Sequence, residues 1–79
     1  MTGYVISKDC EYSTVEGRPR TIFTTTTEGA GTPAHWTPVL HFALQFRYRQ
    51  QAARALHAGG WHRSGWRVEN ARRYRLGVQ

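Results

Sequence analysis

Residues 21 to 27, TIFTTTT, are β-branched or aromatic at every position and predict a strand. The stretch YVISKDCEY, residues 4 to 12, opens with β-forming residues and then alternates loosely, which favours a second strand. Between them VEGRPR carries the turn formers Gly17 and Pro19. We therefore expect an antiparallel hairpin with strands over residues 3–9 and 20–27.

The middle of the chain predicts a loop followed by two helical segments. Residues 28–38, EGAGTPAHWTP, are rich in Gly, Pro and small residues, and Thr37–Pro38 fits an N-cap with the first helical residue. Two apolar stripes at helical spacing follow, and they point to nearly opposite sides of a single helix. The first stripe is Val39, Phe42, Ala43 and Phe46, and the second is Tyr48, Ala52, Ala55 and Leu56.

The conflict between the stripes predicts a break near Phe46–Tyr48. We expect helical segments over residues 38–45 and 48–58, and Gly59–Gly60 is a strong C-terminal stop for the second. Trp36, next to the start of the first segment, is expected to lie over its Phe42 and Phe46 face.

The closing stretch WRVENARRYRLG, residues 66 to 77, predicts two more strands. Trp66 and Val68 share one face, residues 69–72 form the turn, and Tyr74 and Leu76 return on the same face. The expected fold is a single α+β domain over residues 1–79. It is a two-layer sandwich of order ββααββ or ββαββ, with a four-stranded antiparallel sheet and the helices on one face.

The charges are distributed unevenly along the chain. Residues 1–46 hold three cations against four acids, a net charge of −1, whereas residues 47–79 hold eight arginines against Glu69, a net charge of +7. A surface of a single sign favours an acidic partner, because an ordinary solvated surface mixes both signs. Nucleic acid and an acidic protein surface both fit this composition.

Seven residues are candidate partner contacts. Arg67, Arg73 and Arg75 fall on the open face of the predicted closing hairpin, Arg63 precedes it, and the second helical region presents Arg49 and Arg54 beside Arg47. Trp61 completes the set, since an aromatic residue after Gly59–Gly60 and before His62–Arg63 resembles an exposed anchor on a loop. The alternative for Trp61 is burial, the usual fate of a large apolar side chain.

Catalysis and metal binding find little support. The four histidines do not show the i, i+4 pairing of a zinc site, and Cys10 stands alone, so it has no intrachain disulfide partner. No paired carboxylates, nucleophile motif or phosphate loop is present. We expect no catalytic residue, no metal site and no cofactor. A single cysteine, the lack of a signal-like N-terminus and the lack of a long apolar run predict a cytoplasmic protein with no membrane partner.

The order of these features resembles a class of small proteins encoded by bacteriophages and other mobile elements. The features are YVI in an opening strand, a Gly turn, a Thr-rich strand, a Trp-Thr-Pro loop, AL-Q-F, QQAARAL and a closing hairpin. Some anti-CRISPR proteins are similar in size and in ββαββ order. The resemblance implies a non-enzymatic inhibitor that docks on a host CRISPR-Cas complex in the bacterial cytoplasm. Many such blockers are acidic DNA mimics, whereas this chain is basic.

The expected function is therefore binding through an Arg-rich surface, either to an acidic patch of a host protein complex or, as the alternative, to DNA or RNA phosphates. The basic charge favours docking on protein, or recruiting DNA to the wrong place, over DNA mimicry. TIFTTTT is also a candidate edge strand on which a second copy of the chain can pair, which allows a homodimer.

Overall fold

The structure, a computed structural model, describes residues 3–15 and 18–73 and is built around one antiparallel sheet. Its strands are β1 (Tyr4–Val15), β2 (Arg18–Thr24), β3 (Trp36–Thr37) and β4 (Arg67–Asn70). The strand order is β3-β2-β1-β4, and every neighbouring pair is antiparallel. The predicted α+β class and the four-stranded antiparallel sheet are confirmed.

β1 and β2 pair as the sequence predicted, with Ser7 opposite Phe23 and Asp9 opposite Thr21. β2 ends at Thr24, so the predicted strand over residues 25–27 is wrong. The Thr24 hydroxyl donates to the Thr26 carbonyl at 2.6 Å and accepts from the Thr26 N–H at 3.2 Å. This local side-chain bonding replaces the ladder and turns the chain away from the sheet.

The helix α1 spans Arg49–Ala58 and confirms the second predicted helical segment. Tyr48 is extended, as the expected break requires, and its N–H donates to the Gln51 side chain at 3.4 Å. The helix ends at Gly59, and Gly60 follows in the left-handed conformation at φ 70°. That conformation favours glycine, so the stop predicted from Gly59–Gly60 is confirmed.

The first predicted helix, over residues 38–45, is wrong. Only a single 3-10 turn forms there, at Leu40–Phe42. The Leu44 N–H donates to the Thr24 carbonyl at 2.9 Å, and Phe46 exchanges two backbone hydrogen bonds with Tyr4, at 2.8 and 2.7 Å. Because the sheet uses these backbone groups, they cannot make the i→i−4 bonds of a helix.

The closing segment also differs from the prediction. β4 continues through Asn70 and pairs with β1, with Tyr4 opposite Asn70 and Ser7 opposite Arg67, so the turn expected over 69–72 is wrong. Residues 71–73 then adopt a helical turn, and the Ala71 N–H donates to the Gly3 carbonyl at 2.9 Å. The expected return strand at Tyr74 and Leu76 lies outside the described residues.

Apolar side chains cover both faces of the sheet, because successive residues of β1 point to opposite sides. The face under α1 is packed with Ile6, Ile22, Ala52, Leu56, Trp61 and Trp66. The opposite face is packed with Val5, Phe23, Ala43 and Ala71, with Leu40 against them. The structure therefore places α1 on one face and the 3-10 turn on the other, whereas we expected both helical segments on the same face.

Candidate functional site

The arginines of the closing segment, which we expected to form a surface of one sign, are held in ion pairs. Arg67 donates to Glu69 at 2.8 Å and to Asp9 at 3.3 Å, and Arg73 donates to the same Glu69 oxygen at 3.0 Å. The prediction of an unopposed positive row is therefore wrong for Arg67 and Arg73. Arg75 lies outside the described residues.

The pairing of strands explains this neutralisation. Glu69 lies two residues after Arg67 on β4, so both side chains share one face. Asp9 comes from β1, two residues beyond the Ser7 that faces Arg67, at the diagonal distance that long side chains span. The sequence placed Glu69 in a turn and gave no sign that Asp9 would come near Arg67.

Trp61 is fully buried, which confirms the burial alternative and makes its assignment as a partner contact wrong. Its indole N–H donates to the Gly29 carbonyl at 2.8 Å, and its ring lies against the α-carbon of Gly59. The loop before β3 is held at the same place, because the Gly31 N–H donates to the Gly59 carbonyl at 2.7 Å and Ser64 donates to the Gly31 carbonyl at 2.8 Å. Trp61 therefore fixes the loop to the end of α1.

Four exposed arginines remain around α1, and we call them the α1 arginines: Arg47, Arg49, Arg54 and Arg63. Within the part of the chain that the structure describes, they make no ion pair. The sequence supplies a reason, since residues 29–68 contain five arginines and all four histidines but no Asp or Glu. Of the predicted contacts, Arg49, Arg54 and Arg63 therefore stay available to a partner.

The α1 arginines occupy the two ends and the middle of the helix. Arg47 lies over the ring of Tyr48, with its guanidinium carbon 5.4 Å from the ring centre, just before the first helical residue, Arg49. At the other end, the ring centres of His57 and His62 are 4.5 Å apart, and Arg63 follows His62 on a second 3-10 turn, Trp61–Ser64. Helix α1 thus presents charge along about 15 Å of its length.

Sequence reasoning missed a group of exposed apolar side chains in the segment that precedes Arg47 and Arg49. Trp36 is 51% exposed, Val39 45% and Phe42 67%, and all three belong to residues 36–44, which we call the aromatic loop. We expected Trp36 to lie over a core-facing surface of Phe42 and Phe46. The core-facing position expected for Phe42 is wrong, because Phe42 is exposed while Leu40 and Ala43 pack on the core. The helical spacing of the sequence gave no signal of this outcome.

No group of three or more His, Cys, Asp or Glu side chains among the described residues is arranged to hold a metal ion. The described residues also include no helix with the length and apolar character needed to cross a membrane.

In comparisons with known proteins, no family model, no curated protein and no solved structure matches this chain.

Proposed function

We propose that this chain is a small non-enzymatic binding protein that attaches to an acidic surface of a protein partner through the α1 arginines. The observation that carries the proposal is the contrast between two sets of arginines. Arg67 and Arg73 are satisfied by acids of the same chain, whereas Arg49, Arg54 and Arg63 are exposed and make no ion pair within the described residues.

Two of the α1 arginines lie at the end of the helix that disfavours positive charge. The first turn of α1 contains Arg49 and no acidic residue, and Arg47 lies just before it. A helix N-terminus favours negative charge, so a cation there is unfavourable by about 0.3–1 kcal/mol. A requirement from outside the fold explains such an arrangement, and arginine is prominent among the residues that dominate protein interfaces.

The resemblance to anti-CRISPR proteins makes a host CRISPR-Cas complex the first partner to test. Guanidinium groups bind carboxylates through two parallel hydrogen bonds, a geometry that lysine lacks. An acidic patch on such a complex offers the matching acceptors. Binding there inhibits by blocking a surface the complex needs, and the chain itself performs no chemistry.

Nucleic acid is the second candidate, and one observation favours it. Arg47 stacks over Tyr48, and exposed aromatic rings among arginines are also the composition of single-strand binding surfaces. The exposed aliphatic side chain of Val39 favours protein, because it adds nothing to phosphate contacts or base stacking but fits an interface core.

The experiment compares two double variants with equal loss of charge. Arg49→Gln with Arg54→Gln removes two α1 arginines, and the matched control Arg67→Gln with Arg73→Gln removes the two that pair with Glu69. Each protein is immobilised and offered purified CRISPR-Cas complexes and nuclease-treated bacterial lysate. We expect the α1 variant to weaken binding of the retained partner about tenfold, equivalent to about 1.4 kcal/mol, and the control to change it little. Equal effects of both variants would contradict the proposal.

A salt titration distinguishes the second candidate. Labelled duplex and single-stranded DNA are mixed with the wild-type protein at about 50 mM and about 200 mM salt. Four phosphate contacts predict a loss of affinity of about a hundredfold over this range. Tight binding to arbitrary DNA with that salt dependence, lost in the α1 variant, would assign the function to nucleic acid.

A further inference from the structure

The aromatic loop is closed and held at its base, so its exposed side chains have a defined placement. Its first residue, Trp36, pairs with Thr24, and the N–H of its last residue, Leu44, donates to the Thr24 carbonyl at 2.9 Å. The loop thus leaves and rejoins the sheet at one position. Inside it, the Phe42 N–H donates to the Val39 carbonyl at 3.1 Å.

The same loop turns some of its apolar residues toward the core and others toward solvent. Ala43 is buried and Leu40 packs on the core cluster of Val5 and Phe23, whereas Trp36, Val39 and Phe42 face outward. The edge of the His41 ring meets Phe42, with ring centres 5.4 Å apart. Single exposed apolar residues are ordinary, but three within seven residues of a fixed loop form a patch, and such patches mark interaction sites.

The charge around the patch argues against a second copy of this chain as its occupant. A twofold dimer brings the same surface of each copy together. Residues 29–68 include no Asp or Glu, and Arg47 and Arg49 follow directly on the loop. Self-association here would therefore bring cation against cation without an acid from this part of the chain to separate them.

We propose that the aromatic loop is the apolar anchor of the binding surface, and that its occupant is a protein segment with exposed apolar side chains flanked by Asp and Glu. This inference rests on the proposed function and adds to it the location of the anchor and the chemistry of the segment bound. The apolar side chains of the partner cover Trp36, Val39 and Phe42, and its carboxylates reach Arg47 and Arg49, the two α1 arginines that follow the loop in the chain. Because the loop is already ordered, little conformational entropy is lost on docking.

A lipid surface and single-stranded nucleic acid fit less well. Interfacial binding to lipid uses an amphipathic helix with a continuous apolar face, and the loop holds one 3-10 turn. Base stacking uses aromatic rings, whereas Val39 contributes an exposed aliphatic side chain.

The protein carries its own reporter for this site. Trp36 is 51% exposed, whereas Trp61 and Trp66 are 0% and 4% exposed. Acrylamide quenching of the wild type, compared with Trp36→Phe, therefore isolates the loop. We expect the free chain to be quenched strongly and the Trp36→Phe variant weakly, at all protein concentrations. Weak quenching of the free wild type, or quenching that falls as concentration rises, would show that the chain or a second copy already covers the loop and would overturn the proposal.

The occupant is tested with a displayed library of random peptides of about sixteen residues, long enough for an amphipathic helix of about four turns. The wild-type protein and the double variant Val39→Ser with Phe42→Ser serve as baits. We expect the wild type to enrich peptides that combine Leu, Phe or Trp with Asp and Glu, and expect the synthesised peptides to protect Trp36 from acrylamide. The double variant should bind them at least tenfold more weakly. His57→Ser, which alters an exposed ring at the far end of α1, should bind them nearly as the wild type does.

Several results overturn the proposal. They are the absence of enrichment, enrichment of basic or uncharged peptides, equal binding by the loop variant, and an equal loss in His57→Ser. Protection of Trp36 by anionic lipid vesicles or by oligothymidine in preference to the peptides assigns the loop to those ligands instead. Both loop substitutions are at exposed positions, so the melting temperature should stay within about 4 °C of wild type.

Comparing the loop variant with the α1 variant distinguishes failure of the anchor from failure of the proposed function. If the α1 variant releases a partner that the loop variant still holds, the anchor is wrong and the proposed function stands. If neither variant affects binding, both are wrong.

Discussion

Replacing Gly59 with alanine tests whether the Trp61 indole is fixed against the end of α1, as its structural role requires. Gly59 has φ −86° and ψ −8°, a conformation that alanine adopts without strain. At such positions Gly→Ala usually stabilises a protein by about 0.4–1 kcal/mol, because the unfolded chain loses freedom. The contacts around Gly59 predict the opposite result here.

A β-carbon at position 59 would meet the Trp61 ring at 2.7 Å from Cε2 and 2.8 Å from Cδ1, and would come closer still to Nε1. Carbon atoms in good contact are about 3.5–4.0 Å apart, so the ring has to move by about 1 Å. That movement breaks or stretches the 2.8 Å hydrogen bond from the indole to the Gly29 carbonyl. The ring has no open space to enter, because Trp61 is fully buried.

Overpacking and the lost hydrogen bond together set the expected loss of stability in Gly59→Ala. Overpacking in a core is unfavourable by about 1–3 kcal/mol, and loss of a hydrogen bond adds about 1 kcal/mol. After subtraction of the backbone gain, Gly59→Ala should lower the free energy of unfolding by about 2 kcal/mol. For a chain of this size that corresponds to a fall in melting temperature of about 8–16 °C. Urea titration followed by circular dichroism and tryptophan emission measures both quantities.

Gly60→Ala is the matched control. Gly60 has φ 70°, and a β-carbon there meets no atom within 4 Å. Its replacement should bring only the left-handed backbone strain, about 1 kcal/mol, and should leave the emission of Trp61 unchanged. A Gly59→Ala protein as stable as wild type, or more stable than Gly60→Ala, would show that Trp61 is not fixed where we place it and would reopen its role as a mobile anchor.

Three further substitutions probe the polar contacts of the fold. Trp61→Phe should lower the free energy of unfolding, measured in urea, by about 1–3 kcal/mol more than Trp66→Phe does. The reason is that the Trp61 indole is hydrogen-bonded, while the buried Trp66 N–H finds no acceptor among the described residues. Similar losses in the two variants would contradict this prediction. Thr24→Val keeps nearly the same side-chain shape but removes the hydroxyl that bonds Thr26, so it should be destabilising by about 1–3 kcal/mol. A calorimetric melt that matches wild type would refute the role of that bond. Glu69→Gln should lower the free energy of unfolding by about 1 kcal/mol, because the carboxylate no longer pairs with Arg67 and Arg73. The loss should be smaller in high salt, which screens ion pairs. A loss that does not depend on salt would point to packing instead.

Local patterns determined several features of this protein. The β-branched run around Ile22 specified a strand, the apolar period of residues 48–58 specified a helix, and Gly59–Gly60 specified its end. The candidate contacts Arg49, Arg54 and Arg63 also followed from sequence, because a long stretch without acids leaves its arginines without neighbours of opposite sign.

Tertiary structure decided the rest, and in each case the deciding contact joins residues far apart in the chain. Arg67 is neutralised by Asp9, 58 residues away, only because β4 pairs with β1 instead of folding into a local hairpin. The aromatic loop is exposed because Thr24 takes the backbone bond of Leu44 that a helix would have needed. Local sequence sets the conformational preference of a segment, but a backbone N–H or carbonyl makes its bond wherever folding brings a partner, and that choice is made by the whole chain.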